Sequence, residues 1–214
     1  MKKNLTELVF ILDRSGSMSG LEDDTIGGFN SFIDKQKNVD GKCLVSTVLF
    51  NSRSKIIYDR VSLDEISKMT RSDYVPGGST ALIDAMGDAI HHIKNVHKYI
   101  REEDVPNNTV FVIITDGQEN DSHKYSSDEV KAMVNKQKEM GWEFIFLGAN
   151  IDAVETAKQY GIDENRSVRF HNDDKGIKNN FAVLGKALYR LRESGEIEED
   201  CLKEIREDYN KRKK

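Results

Sequence analysis

The stretch most able to do chemistry in this chain is Asp13-Arg14-Ser15-Gly16-Ser17. It sets one carboxylate and two hydroxyls at alternate positions, directly after the apolar run Leu8-Val9-Phe10-Ile11-Leu12. With residues 13, 15 and 17 on one side of an extended turn, three oxygens converge on a point. Oxygen donors without Cys or His suit Mg²⁺, Mn²⁺ or Ca²⁺ better than zinc. Asp, Ser and Gly are also ordinary loop residues. Alone, the pattern reads first as a turn, and a metal reading needs oxygens from elsewhere in the chain.

Two further segments supply them. Thr109 to Ile114 is another apolar run that ends in a carboxylate, at Thr115-Asp116-Gly117. Pro76-Gly77-Gly78-Ser79-Thr80 places a hydroxyl just ahead of a helical stripe, with glycines that allow close backbone approach or positive φ. Together Asp13, Ser15, Ser17, Thr80 and Asp116 offer two carboxylates and three hydroxyls. That is an octahedral-type oxygen site with room for water or one outside ligand. Hydroxyls carry no charge, so a cation held mainly by them stays electron-poor and welcomes a carboxylate from another molecule.

The elements that must position these residues are strands alternating with helices. Residues 8–12 read as a strand buried on both faces. Ile26, Phe29 and Ile33 recur at helical spacing after a polar start at Ser19 to Asp24, with Gly27-Gly28 explained by close approach to the sheet or by a frayed turn. Cys43 to Phe50 and Ser54 to Val61 are strands joined by a turn too short for a crossover, hence antiparallel. Ser62 with Glu65 forms a capping-box pattern that predicts a short helix to Thr70. Leu82, Ala85, Met86, Ala89, Ile90 and Ile93 make a helical stripe. Beyond strand 109–114, a helix from a Ser126 cap to Met140, a strand Trp142–Leu147, a helix Asp152–Tyr160, a strand Ser167–Phe170 and a helix of about 176–191 follow. The fold class is therefore α/β: a Rossmann-like, doubly wound, mostly parallel six-stranded sheet with one antiparallel edge strand and helices on both faces. In such a sheet, Asp13 and Asp116 end on one rim, where ligands bind.

The division expected is a domain over residues 1–192 and a charged amphipathic helix or tail over 193–214. In the tail, Ile197, Leu202 and Ile205 share a face that packs on the chain's own body or on a partner helix. Net charge is −5, with no basic stripe interleaved with aromatics, which gives no case for nucleic acid. Cys43 and Cys201 form neither metal-ligand spacing nor a disulfide framework. No apolar stretch is long enough for a signal peptide or a membrane span, so the expected location is cytoplasmic. The five histidines, His91, His92, His97, His123 and His171, show no ligand spacing and read as surface residues, with His123 the nearest to Asp116 in sequence.

On Asp13-x-Ser15-x-Ser17, Gly77-Gly78-Ser79-Thr80 and Ile114-Thr115-Asp116-Gly117, the chain resembles the von Willebrand factor type A (VWA) domain family with its metal-ion-dependent adhesion site (MIDAS). The resemblance covers about residues 5 to 190, and Glu119-Asn120 is similar to bacterial members, pointing to a single-domain bacterial or phage-like form. It implies Mg²⁺, or Mn²⁺, ahead of Ca²⁺, at the five residues. It also implies a partner protein that offers an Asp or Glu side chain to the ion, with no nucleic acid or membrane partner and no enzymatic role. Arg14, Met18 and Gln118 should flank the docking surface.

Two alternatives stand beside it. One is a metal-dependent phosphoester hydrolase, although Gly16 to Gly20 puts Met18 where a nucleophile-elbow serine would be. An EF-hand fails too, with Met18 and Asp24 where Gly and Glu are required. The other is an assembly protein whose metal only staples loops together.

Overall fold

The computed structural model describes residues 5–212. Its centre is a six-stranded sheet in the order β3-β2-β1-β4-β5-β6. The strands are β1 Leu5–Asp13, β2 Lys42–Phe50, β3 Ser54–Ser62, β4 Asn108–Thr115, β5 Trp142–Gly148 and β6 Ser167–Arg169. All neighbours run parallel except β2 with β3, whose short turn forces an antiparallel edge. The helices are α1 Glu22–Gln36, α2 Leu82–Tyr99, α3 Ser127–Glu139, α4 Ala153–Gln159, α5 Asp174–Ser194 and α6 Lys203–Arg212. Among the described residues no helix is long and apolar enough to cross a membrane.

Two cores lie on the two faces of the sheet. Leu8, Phe10 and Leu12 of β1 pack with α1, α5 and α6. Val9 and Ile11 face the other way, onto Leu82, Met86, Ile90, Val130 and Ala157 of α2, α3 and α4. Alternate residues of one strand thus serve opposite cores, which is why the run is apolar without interruption. The chain leaves β1 toward β2 on one side and later builds β4 on the other, so the strand order reverses at β1. Leu12 is level with Ile114 in the parallel register, which brings Asp13 and Asp116 to one rim.

Several local expectations are corrected. The predicted helix 62–70 is only a 3₁₀ turn, Leu63–Glu65, and Ser62 closes β3 opposite Leu44 without capping anything. The following residues stay extended because α1 satisfies their backbone. Asn30 donates to the Met69 carbonyl (2.9 Å) and accepts from its N–H (2.8 Å), and Lys37 donates to the Ile66 carbonyl (3.1 Å). Ile66 and Met69 meanwhile sink into the core. At Gly28 the close neighbour is a helix and not the sheet: an added Cβ would stand 2.4 Å from the Phe181 ring on α5. His97 is not a surface residue; with its side chain 11% exposed, it meets the fully buried Glu7. In the C-terminal segment, Ile197, Leu202 and Ile205 are buried in the chain's own core.

Candidate metal centre

Asp13 is the last residue of β1 and 1% exposed. Its Oδ1 accepts the Ser15 backbone N–H (2.7 Å), folding the chain back at once, and its Oδ2 accepts the Thr115 hydroxyl (2.6 Å). The buried Tyr74 phenol donates to the Asp13 carbonyl, and burial pushes that phenol well above the usual tyrosine range. The turn carries the Ser15 and Ser17 hydroxyls to within 3.0 Å of each other, and Ser17 Oγ donates to Asp116 Oδ1 at 2.6 Å. Asp116, also 1% exposed, has its other oxygen, Oδ2, bonded by Asn172 Nδ2 at 2.8 Å.

Thr80 arrives from a loop threaded between these segments. Gly16 N–H donates to the Gly78 carbonyl (3.0 Å), and Gly77 N–H donates to the Arg14 carbonyl (2.9 Å). Asn51 Nδ2 holds the Gly77 carbonyl (2.6 Å). Gly78 has φ +77° with Ser52 Oγ 3.0 Å from any added Cβ, so this turn needs a glycine. Thr80 itself is gripped from both sides by Asn120, which accepts its N–H through Oδ1 (2.9 Å) and donates its own N–H to its carbonyl (3.0 Å). A Cβ built on Gly117 would lie 3.3 Å from Thr80 Oγ1 and 3.5 Å from Ser17 Oγ, so both hydroxyls border the backbone just after Asp116.

The structure therefore brings all five sequence-predicted residues together. Every hydrogen-bond partner of the two carboxylates among the described residues is a hydroxyl or an amide. Burial raises the Asp13 pKa above the ordinary value, the Thr115 and Ser15 hydrogen bonds oppose it, and the Asp116 charge adds to the rise. Two buried carboxylates beside uncharged hydroxyls make a site whose electrostatics call for a cation. The donors, all oxygen, fit a hard divalent ion. Among the described residues no group of three or more His, Cys, Asp or Glu gathers anywhere, so hydroxyls are indispensable to such a site here.

The surroundings differ in part from the sequence reading. Gln118 is exposed beside the rim, whereas Met18, expected at the same surface, is 2% exposed and belongs to the core under α1. His123 stays outside the cluster; its ring is exposed, and its N–H bonds to Asp84 (2.9 Å). Sequence reasoning missed Tyr74, Thr115 and Asn172, and gave Asn120 no role at Thr80. It also missed that Glu119 caps α2 from another segment, accepting the Ile83 N–H (2.9 Å) while its other oxygen takes those of Asp121 and Ser122. The absence of a Ser, Asp or Asn N-cap at Ala81 was the available signal that a cap comes from elsewhere.

Comparison with known proteins agrees with this fold. The family model described as von Willebrand factor type A domain matches residues 7–180. No curated protein matches the chain. Among solved structures, proximal thread matrix protein 1 from the mussel byssus, with a zinc-occupied MIDAS motif, superposes with TM-score 0.60 at 15% identity, over 88% of this chain and 47% of that one. This chain thus spans about half the length of the mussel protein. The vWF domain of a type V pili tip protein from Porphyromonas gingivalis gives TM-score 0.63 at 11% identity, covering 90% of this chain and 98% of that chain. The manganese-loaded TRAP protein of Plasmodium vivax gives 0.58 at 19%, covering 87% and 73%. At these identities the likeness is one of fold.

Proposed function

The chain belongs to the von Willebrand factor type A domain family, and on that premise we propose that it is a metal-dependent protein-binding module. Its metal site would be Asp13, Ser15, Ser17, Thr80 and Asp116, and the ion Mg²⁺ or Mn²⁺. When bound, the ion supplies a Lewis-acid contact for an oxygen of an Asp or Glu side chain from a partner protein. The observation that carries this reading is the convergence of two buried carboxylates and three hydroxyls, with no cation among the described residues hydrogen-bonded to either carboxylate. Domains of this family are generally adhesion or interaction modules. A zinc-occupied motif in one structural neighbour and a manganese-loaded state in another support a divalent ion here too.

The roles divide by chemistry. Ser15, Ser17 and Thr80 supply neutral oxygens, which leave the ion under-neutralised and receptive to an outside acid. Asp13 and Asp116 supply the charge that retains it, directly or through water. Asn120 fixes the Thr80 backbone, and Thr115 fixes one Asp13 oxygen, so little order is lost when the ion enters. Exposed Gln118 borders the surface on which the partner would land. Residues 193–212 act with the domain, through the buried Ile197, Leu202 and Ile205, and the expected setting is the cytoplasm.

Titration calorimetry with MnCl₂ and MgCl₂ tests the site. Heat with the wild type and none with Asp13→Ala supports it; no heat with the wild type refutes it. Capture from native lysate in Mg²⁺ against chelator, with Asp13→Ala as control, tests the partner. Turnover of a generic phosphoester that disappears in Asp116→Ala would favour the hydrolase instead.

A further inference from the structure

We infer that Asn172 is a positioning residue of the metal site, and that α6, through it, sets the affinity of that site for a divalent cation. This rests on the metal reading above and adds to it Asn172, within the matched span, and α6, which lies beyond residue 180, where the family match ends.

Asp116 divides its two oxygens between two neighbours. Ser17, itself one of the five residues, takes Oδ1, and Asn172, from the loop between β6 and α5, takes Oδ2. The Asn172 amide therefore fixes the plane of the carboxylate. Its own Oδ1 is buried without a hydrogen-bond partner among the described residues. Turning the amide over would place that oxygen against the Asp116 carboxylate, acceptor against acceptor.

The loop carrying Asn172 is held by α6. Both chain neighbours of Asn172 are gripped by α6. The His171 ring stacks on Tyr209 (centroids 4.6 Å apart), and its Nε2 lies 3.1 Å from the Tyr209 carbonyl. Asp173 pairs with Arg212. The Arg169 guanidinium covers the Tyr209 ring at 5.2 Å. From the other side, Asp173 Oδ1 caps α5 by accepting the Gly176 N–H (2.8 Å). A Cβ at Gly176 would stand 1.9 Å from the His171 carbonyl, so the loop presses directly on the first turn of α5. Leu202 and Ile205, in the core, keep α6 in place. A continuous chain of contacts thus runs from α6 through residues 171–173 to Asp116.

The test is Mn²⁺ affinity by calorimetry, checked by the loss of the free-ion signal in electron paramagnetic resonance, with the melting temperature of the metal-free protein measured for each variant. Asn172→Ala should bind Mn²⁺ about tenfold to a hundredfold more weakly, the usual range for an outer partner of a ligating carboxylate, with a melting temperature near that of the wild type. Tyr209→Ala should weaken Mn²⁺ by several-fold in the wild-type background and have no further effect in Asn172→Ala, because both act on one carboxylate. Arg206→Ala, on the same helix but paired with Asp200, should leave the affinity unchanged. Wild-type affinity in Asn172→Ala, or an equal loss from Tyr209→Ala in both backgrounds, overturns the inference while leaving the metal site standing. A wild-type protein that takes no Mn²⁺ removes both.

Discussion

β1 carries a buried acid near each end, and the two ends are treated differently. Glu7, 0% exposed, meets the Arg60 guanidinium at 2.5 Å and the His97 ring. Among the described residues the carboxylate of Asp13, 1% exposed, is hydrogen-bonded by hydroxyl and backbone amide groups alone, with a second carboxylate, Asp116, nearby. The fold thus tolerates a buried carboxylate at both ends but supplies the counter-charge at one. On the metal reading proposed above, the difference teaches that the rim is completed from outside, whereas the opposite end is complete within the chain.

The largest effect should come from the completed end. Glu7→Ala leaves Arg60 and His97 facing an emptied site and should cost about 3–5 kcal/mol of unfolding free energy in urea, with Mn²⁺ affinity unchanged. Asp116→Ala should do the reverse, weakening Mn²⁺ by about a hundredfold or more with little loss of metal-free stability. In thermal melts, Mn²⁺ at a hundred times its Kd should add about 2.7 kcal/mol to the wild type and nothing to Asp116→Ala, and chelator should abolish the gain. A loss of stability in Asp116→Ala as large as that in Glu7→Ala would dissolve the contrast.

Asp84 provides an intermediate case, a carboxylate held mainly by backbone N–H groups, with the Lys124 charge adding to them. Burial tends to raise its pKa, but the N–H groups of His123, Lys124 and Tyr125 outweigh this and hold it below the usual carboxylate range. Asp84→Ala should cost about 1–3 kcal/mol at neutral pH. Because the folded value lies below the ordinary 3.8, the wild-type advantage should be complete above that pH and disappear as pH falls through the folded pKa. The smallest effect is a control: Ser126→Ala removes the N-cap hydroxyl of α3, should cost about 1 kcal/mol, and should leave Mn²⁺ affinity alone.

The strands and the five oxygen residues were legible because each depends on a local signal. A buried strand needs an unbroken apolar run, and a carboxylate that ends such a run stands at the rim of the sheet. Thr80 was legible through its glycines. What stayed hidden depends on contacts far apart in sequence. Tyr74 reaches Asp13, Asn172 reaches Asp116, and Asn30 holds the backbone of Met69 extended, none with any nearby pattern to announce it. The Ser62–Glu65 pattern misled because the same residues that suit a capping box also suit the end of a strand, and pairing with β2 decided the matter. Met18 misled for the opposite reason: its place in the motif suggests the rim, but its apolar side chain turns into the core.

The capping of α2 by the segment after Asp116 has a kinetic consequence. Glu119 and Ser122 receive the Ile83 and Asp84 amides, and Asn120 both receives and gives a bond at Thr80. These bonds tie Thr80 and the first turn of α2 to residues 119–122. Hydrogen–deuterium exchange at Thr80, Ile83, Asp84 and Asn120 should therefore proceed at one shared rate, a single cooperative opening beside the rim.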